Sequence, residues 1–335
     1  MNDTVVLGRI AGVRVGLHWS AVGIVALVAV GLAVFQLPRA FPGHSPVGYA
    51  TGGVVGAVLL LLSLLGHEVA HAVVARRNGV VVSGITLWLL GGVARLRGEA
   101  RGPGADFRIA AVGPAASVVL GGVFAGIAWL LVRWEANELV VAVPVYLGLL
   151  NIVLAVFNLI PAAPLDGGRV LRSVLWAWRG DRYRAAVWSA RAGEVFGVLL
   201  AAAGVAELWF RGAEGFWSIL LGWFVVSVAA AEERQARLGQ ALADVRVRDV
   251  MSAPRDGAAF AEVAAEPDEP LAAVLSRLGE TGGTLPVIAD GRLVGIVSAA
   301  DVGREAERRG VRMVLPGAEP HRPPPPGWWY PGQHR

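Results

Sequence analysis

The sequence contains no cysteine and no lysine, and it has few charged residues of any kind. The lack of cysteine excludes disulfide bonds, thiolate-ligated metal sites and a thiol nucleophile. Charged residues make up 17% of the 335 residues and hydrophobic residues 55%, whereas soluble domains average about 25% and roughly 45–50%. This composition argues against an ordinary cytosolic enzyme. All 30 cationic residues are arginine, a bias typical of a GC-rich genome, and they form no clustered basic face that would indicate a nucleic-acid partner.

Four long runs contain no charged residue at all: 15–38, 40–67, 109–132 and 139–165. A helix needs about 20 apolar residues to cross roughly 30 Å of hydrocarbon. The runs therefore predict four membrane-spanning helices, near 17–36, 50–75, 109–132 and 139–160. Two weaker spans are predicted near 193–210 and 215–231, with a buried hairpin as the alternative for the fifth.

Arginines are concentrated in alternate loops. They cluster before span 1, between spans 2 and 3 and between spans 4 and 5, while the intervening loops hold only Arg39, Arg133 and Arg211. Positively charged loops stay on the cytoplasmic side. We therefore predict a multi-pass protein of the cell membrane with six spans and both termini in the cytoplasm, in contact with membrane lipid.

The pattern changes near Glu232, so that 1–232 is predicted to be the membrane domain. Residues 285–289 and 292–297 are predicted to be two short strands around a turn at Asp290–Gly291, and Pro270–Leu278 is predicted to be a short amphipathic helix. The fold class is thus an α-helical polytopic membrane protein with a small cytosolic α/β module at 245–312. Residues 313–335, which include four consecutive prolines, are predicted to be a disordered tail.

Span 2 carries His67, Glu68 and His71. Residues i and i+4 share one face of a helix, so both imidazoles can reach one ion, and Glu68 lies close enough to reach a water on that ion. Composition alone gives roughly 0.005 chance matches to this pattern. Ionisable groups in a span cost about 2.5–3.5 kcal/mol each at mid-bilayer, which marks them as functional. The alternative is a polar cluster that joins helices.

Catalytic zinc usually has three protein ligands, so two histidines leave such a site incomplete. In a chain without cysteine the third must be another histidine or a carboxylate. Asp166 is the strongest candidate, because it follows a 27-residue charge-free run and is flanked by Pro161 and Pro164 before it and by Gly167–Gly168 after it. We expect these residues to break the helix on both sides, which lipid tolerates where backbone lines a wet cavity. The alternative is a solvated carboxylate in a helix-ending turn.

The motif around His67 and His71, together with Asn158-Leu-Ile-Pro-Ala-Ala-Pro-Leu-Asp166-Gly-Gly, resembles the site-2 protease family of intramembrane zinc metalloproteases. The resemblance implies that His67, His71 and Asp166 ligate one zinc ion and that Glu68 is the catalytic acid and base. It also implies that Asn158 positions the substrate or the oxyanion. The implied activity is regulated intramembrane proteolysis, the hydrolysis of peptide bonds in or near the membrane span of single-span protein substrates.

Two further stretches resemble the same family. Residues 87–95 are similar to its membrane-associated β-loop, with an amphipathic interfacial hairpin as the alternative. Residues 113–117 are similar to a Gly-Pro-x-x-Asn segment. Because Ser117 occupies the asparagine position, we expect it to serve helix packing rather than catalysis.

Residues 247–252 and 285–302 resemble a CBS domain in a single copy. The resemblance implies a homodimer formed by pairing of CBS units from two chains. It also implies an adenosine nucleotide near Ser298 and Asp301, with a purely structural module as the alternative. A site-2 protease followed by a CBS domain is a known bacterial arrangement. The competing function is a CBS-regulated membrane transporter or metal carrier, but a carrier needs no base beside its metal, and the spans show no inverted repeat.

Overall fold

The computed structural model describes residues 5–10, 12–88, 91–97, 100–212, 215–253 and 263–311. The chain divides into two compact units, Met1–Glu233 and Arg234–Arg335. The tail predicted for 313–335 lies outside the described residues.

Six helices in the described residues are long and apolar enough to cross a membrane, which confirms the predicted number of spans. They are Ala21–Ala40, Pro46–Arg77, Pro103–Arg133, Glu138–Asn158, Arg182–Phe210 and Gly215–Ala241. The first is continuous but changes its winding, from α1 (Ala21–Val30) through a π-helical segment (Gly31–Gln36) to α2 (Leu37–Ala40). The others are α3 (Pro46–Arg77), α4 (Pro103–Arg133), α5 (Glu138–Asn158), α7 (Arg182–Arg211) and α8 (Gly215–Ala241). Large apolar side chains such as Val119 and Leu199 are exposed on them, as expected of surfaces that face lipid.

Helix α3 has clear local signals at both ends. The Ser45 side chain caps its first turn by accepting a hydrogen bond from the Gly48 amide at 3.1 Å, and Pro46 occupies a first-turn position that needs no amide donor. Arg76 and Arg77 lie in the last turn, where positive charge interacts favourably with the helix dipole. These signals fix the ends of the helix that carries the histidine motif.

A four-stranded sheet packs on the C-terminal half of α3. Its strands, in spatial order, are β1 (Val5–Ile10), β2 (Val13–Leu17), β3 (Val81–Trp88) and β4 (Gly91–Arg97). The outer pairs are antiparallel and β2 pairs with β3 in parallel, while buried Val13 and Ile85 pack against Ala72 of α3. Residues 87–95, predicted to be a β-loop with an interfacial hairpin as the alternative, fall within the antiparallel pair β3 and β4, and 89–90 lie outside the described residues. The β1–β2 hairpin was not predicted.

Helix α6 (Asp166–Arg179) begins at Asp166 and ends at Gly180, which adopts a left-handed conformation with φ of 74°. The prediction that Gly167 and Gly168 break the helix after Asp166 is wrong, because both lie in its first turn. They allow close packing instead. A Cβ on Gly167 would lie 2.2 Å from the Ile160 carbonyl oxygen, and a Cβ on Gly168 would lie 2.4 Å from the Ala163 amide nitrogen.

The second unit contains the short helices α9 (Val247–Val250), α10 (Leu271–Glu280) and α11 (Ala299–Arg308) and the antiparallel pair β5 (Thr284–Ala289) and β6 (Arg292–Ser298). The predicted helix and both predicted strands are confirmed. A parallel bridge joins Ala265 to Val287. The core of this unit consists of fully buried aliphatic side chains from both strands and from the helices, among them Leu271, Leu285, Val297 and Val302.

Candidate metal centre

The two histidines of α3 are buried and directed at the same point. His67 and His71 expose only 5% and 7% of their side chains, and their Nε2 atoms lie 3.1 Å apart. The i, i+4 spacing has the effect predicted from the sequence, because it places both rings on one helix face.

Asp166 completes the cluster from far along the chain. Its Oδ2 atom lies 3.2 Å from His67 Nε2 and 3.1 Å from His71 Nε2, so the three atoms form a nearly equilateral triangle. A tetrahedral zinc ion with bonds of about 2.0–2.1 Å separates its ligand atoms by about 3.3 Å. The donor set and its spacing therefore fit a zinc ion with a fourth position left for water or substrate.

Outer partners orient both rings from helix α4. His71 Nδ1 donates to the Ile109 carbonyl oxygen at 2.6 Å, and His67 Nδ1 lies 2.9 Å from the Ser117 hydroxyl. Donation from His71 Nδ1 to a carbonyl selects the tautomer whose Nε2 lone pair is free for a metal, and the Ser117 hydroxyl can accept the same bond from His67. The sequence predicts only a packing role for Ser117, so the structure adds a contact to a proposed ligand. Ser117 lies four residues after Gly113, on the same face of α4, and this spacing is the sequence signal that could have indicated its contact with His67. The Ile109 carbonyl is a backbone group and leaves no such signal in the sequence.

Gly113 of α4 faces the same triangle. A Cβ at this position would lie 2.1 Å from His71 Nε2 and 2.7 Å from His67 Nε2. The space beside the two nitrogens is therefore free only because residue 113 is glycine, which is the condition that an ion at this point would require.

Asp166 is held at the start of α6, outside the six spanning helices. Burial raises the pKa of its carboxyl, but hydrogen bonds and charge interactions with His67 and His71 outweigh that effect and hold the pKa well below its usual range. The backbone is fixed as well, because the Ser189 hydroxyl on α7 donates to the Gly168 carbonyl oxygen at 2.6 Å. Asp166 thus presents an anionic carboxylate oxygen in a fixed position.

Glu68 lies beside this cluster and beneath strand β4. A Cβ on Gly92 would lie 2.2 Å from Glu68 Cγ, so the β4 backbone passes directly over the glutamate stem. Because β4 is an outer strand of the described sheet, one of its edges is not paired within that sheet. The arrangement brings the Glu68 carboxylate, the candidate metal centre and a strand edge together.

Among the described residues, no hydrogen bond joins the remaining predicted residues to the triangle. Asn158 is the last residue of α5 and is half-buried, and no hydrogen bond joins its side chain to another described residue. Ser298 and Asp301 belong to the second unit. There they form a capping box at the start of α11, in which each side chain accepts from the other residue's backbone amide.

Comparison with known proteins gives matches to two family models and to several metalloproteases. The model of Peptidase family M50 matches residues 55–138 and 132–202, and the CBS domain model matches 247–307. The zinc metalloprotease Rip3 of Mycobacterium tuberculosis is 46% identical over 76% of this chain and 64% of its own length. A zinc metalloprotease of Methanocaldococcus jannaschii is 27% identical over 91% of this chain and 81% of its own. A site-2 protease structure from the same archaeon is 26% identical, covers 68% of this chain and 94% of its own, and superposes with a TM-score of 0.47.

The chain thus spans about two thirds of the length of Rip3, 64% by alignment. A relative from Synechocystis, also named a zinc metalloprotease, is 34% identical over 75% of this chain and 65% of its own length. The M50 match includes the histidine motif and Asp166, and the CBS match covers the core of the second unit. The sequence motifs, the two family models and the sequence relatives thus make this chain similar to the zinc metalloproteases of Peptidase family M50, with a CBS domain matched near its C-terminus.

Proposed function

We propose that this chain is an intramembrane zinc metalloendopeptidase that cleaves single-span membrane proteins in or near their membrane span. The observation that carries the proposal is the triangle of His67 Nε2, His71 Nε2 and Asp166 Oδ2, with sides of 3.1–3.2 Å, beside the Glu68 carboxylate. A carrier would need only the three ligands, whereas a hydrolase also needs an adjacent base.

His67, His71 and Asp166 would hold the zinc ion. A bound zinc ion supplies Lewis acidity and lowers the pKa of water toward 7. Glu68 accepts the proton of the attacking water and then donates it to the leaving amine. Asn158 is proposed to orient the substrate carbonyl as α5 ends. Burial of the cluster excludes bulk water, which strengthens each of these interactions.

The substrate must unwind before it can react, because a membrane helix conceals its carbonyl groups in hydrogen bonds within the helix. We propose that the free edge of β4 pairs with the unwound segment, which is a β-augmentation mode of binding. The close approach of Gly92 to Glu68 supports this, since a strand added to β4 would run past the base. Helix-breaking residues in the substrate span should therefore raise the cleavage rate.

The test uses the purified full chain in liposomes with a fluorescent single-span reporter that carries glycine and proline in its span. Glu68→Gln should lower cleavage by about 100- to 10 000-fold, the usual contribution of acid–base catalysis, while one zinc ion per chain stays bound by elemental analysis. Glu207→Gln is the matched control, because Glu207 is also on a spanning helix but accepts a hydrogen bond from Ser218 at 3.0 Å. Full cleavage by Glu68→Gln, or a wild-type chain that holds no zinc, would refute the proposal.

We further propose that residues 1–232 form the protease domain in a bacterial cell membrane, with both chain termini in the cytoplasm. The absence of native cysteine makes this simple to test, because each introduced cysteine is the only thiol. In intact cells a membrane-impermeant thiol reagent should label Glu135→Cys, in the loop after α4, and should not label Gln240→Cys, at the end of α8. The opposite pattern contradicts this topology.

For residues 245–312 we propose a regulatory CBS domain that pairs between two chains and binds an adenosine nucleotide near Ser298 and Asp301. The single CBS match supports pairing in trans. Light scattering in detergent should give a dimer, and ATP or AMP should raise the unfolding temperature of this unit. A monomer would disprove the pairing, and a temperature unchanged by millimolar nucleotide would disprove the nucleotide site.

A further inference from the structure

Asp106 is a buried carboxylate to which the proposed chemistry gives no role. It lies in the first turn of α4 and is only 1% exposed. A buried ionised carboxylate is strongly unfavourable unless it is paired and hydrogen-bonded. Its partners should therefore explain its presence.

Both partners come from α6, the helix that begins with Asp166. Arg172 forms a two-pronged contact, Nε to Asp106 Oδ2 at 2.9 Å and a terminal nitrogen to Oδ1 at 2.6 Å. Arg169 adds a third bond to Oδ1 at 3.3 Å. A two-pronged arginine–carboxylate pair fixes orientation as well as distance. These contacts therefore fix the start of α6 against the start of α4.

The same stretch of α4 also supports the two histidines. Ile109, which accepts from His71, is three residues after Asp106, and Ser117, which contacts His67, is on the same helix. One helix thus holds the outer side of both rings and, through Asp106, the helix that carries the third proposed ligand. A small shift of α6 along α4 would move the Asp166 oxygen out of the triangle without disturbing the histidines.

We propose that Asp106 is a positioning residue: its ion pairs with Arg169 and Arg172 hold Asp166 at ligand distance from His67 and His71. The proposal rests on the proposed zinc site and adds to it a device that sets the site's geometry. It assigns the two arginines a role in metal affinity although neither contacts the triangle.

The test measures metal binding by the full chain in detergent rather than peptide cleavage. Asp106→Asn removes the charge with little change of shape, and Arg172→Lys keeps the charge but loses the fork. Both should weaken zinc binding, measured by competition with a chelator, by about tenfold or more, since loss of an outer partner typically costs 10- to 100-fold. Both should also alter the visible spectrum of the Co²⁺-loaded chain, which reports ligand geometry. Asp106→Glu, which retains a carboxylate, should restore part of the affinity.

Glu233→Gln is the matched control. It breaks an ion pair of the same type, Arg191 to Glu233 at 2.9 Å, which joins α7 to α8 and holds no proposed ligand. This variant should keep wild-type zinc affinity and the wild-type Co²⁺ spectrum.

Three outcomes would decide against a positioning role. If Asp106→Asn and Arg172→Lys lower only the unfolding temperature and leave zinc affinity and spectrum unchanged, Asp106 is a structural brace. If Glu233→Gln weakens zinc binding equally, the effect is general destabilisation. If the wild-type chain binds no zinc, the proposed function fails together with this inference, whereas the first two outcomes leave it intact. If Asp106→Asn does not fold, Arg172→Lys decides alone.

Discussion

Two aspartates, Asp166 in the membrane unit and Asp301 in the second unit, have similar positions near the start of a helix, but their hydrogen-bond partners come from different distances along the chain. Each begins or nearly begins a helix, and each accepts several hydrogen bonds. The partners of Asp301 are mostly its own neighbours, because Ser298 and Arg304 are three residues away on either side. The partners of Asp166 are 99 and 95 residues away. Local partners are what helix capping alone requires, whereas distant partners meet only if the whole fold brings them together.

The largest expected difference between these aspartates is in zinc affinity. Asp166→Asn should weaken zinc binding by more than about 100-fold, because loss of even an outer partner costs about 10- to 100-fold, and should abolish cleavage of the reporter. Asp301→Asn should leave zinc binding unchanged. Chelator competition on the two variants measures this difference directly. Equal zinc affinities in the two variants would contradict the proposal that Asp166 is a zinc ligand.

A smaller effect should separate two buried serines of the membrane unit. Ser117→Ala removes the hydroxyl beside His67 Nδ1 and should weaken zinc binding by about tenfold. Ser63→Ala is the control, because Ser63 is equally buried on α3 but donates to the Leu59 carbonyl of its own helix at 3.0 Å. The same competition assay should find Ser63→Ala unchanged. Matching losses in the two variants would mean that the Ser117 contact does not act on the metal.

The smallest effect is expected at the cap of α11. Ser298→Ala should lower the free energy of unfolding of the second unit by about 0.5–2 kcal/mol, the usual cost of losing an N-cap side chain. Hydrogen exchange measured by mass spectrometry should localise the change to residues 299–308, and zinc affinity should not change. Unaltered exchange there would show that the cap contributes little.

The sequence predicts those parts of the molecule whose causes are local. Charge-free runs identify four of the six spans and weaker apolar stretches the other two, and the i, i+4 pair on α3 identifies two of the three proposed ligands, because these patterns follow from helix geometry alone. Asp166 could also be found, since a carboxylate after such a run is conspicuous. The Asp106–Arg172 pair could not, because its members are 66 residues apart and each looks like an ordinary residue near a span end.

Strand β1 illustrates a second limit. All six of its residues are exposed, so it has none of the alternation between buried and exposed positions by which a strand is detected in sequence. Its pairing comes from β2, and β2 in turn is held by β3, more than 60 residues further along the chain. The role of Gly167 and Gly168 was predicted wrongly for a related reason. These glycines are needed because the backbone of the preceding loop packs against them, and that contact is not visible in the local sequence.

The parallel pairing of β2 with β3 has a consequence for biogenesis. The connection between these two strands contains two helices that are long and apolar enough to cross the membrane, Ala21–Ala40 and α3. In the proposed topology, the N-terminal hairpin remains on the cytoplasmic side during synthesis until the second span has been inserted and β3 has emerged. Only then can β2 pair with β3, and this pairing joins the cytoplasmic ends of two separately inserted helices.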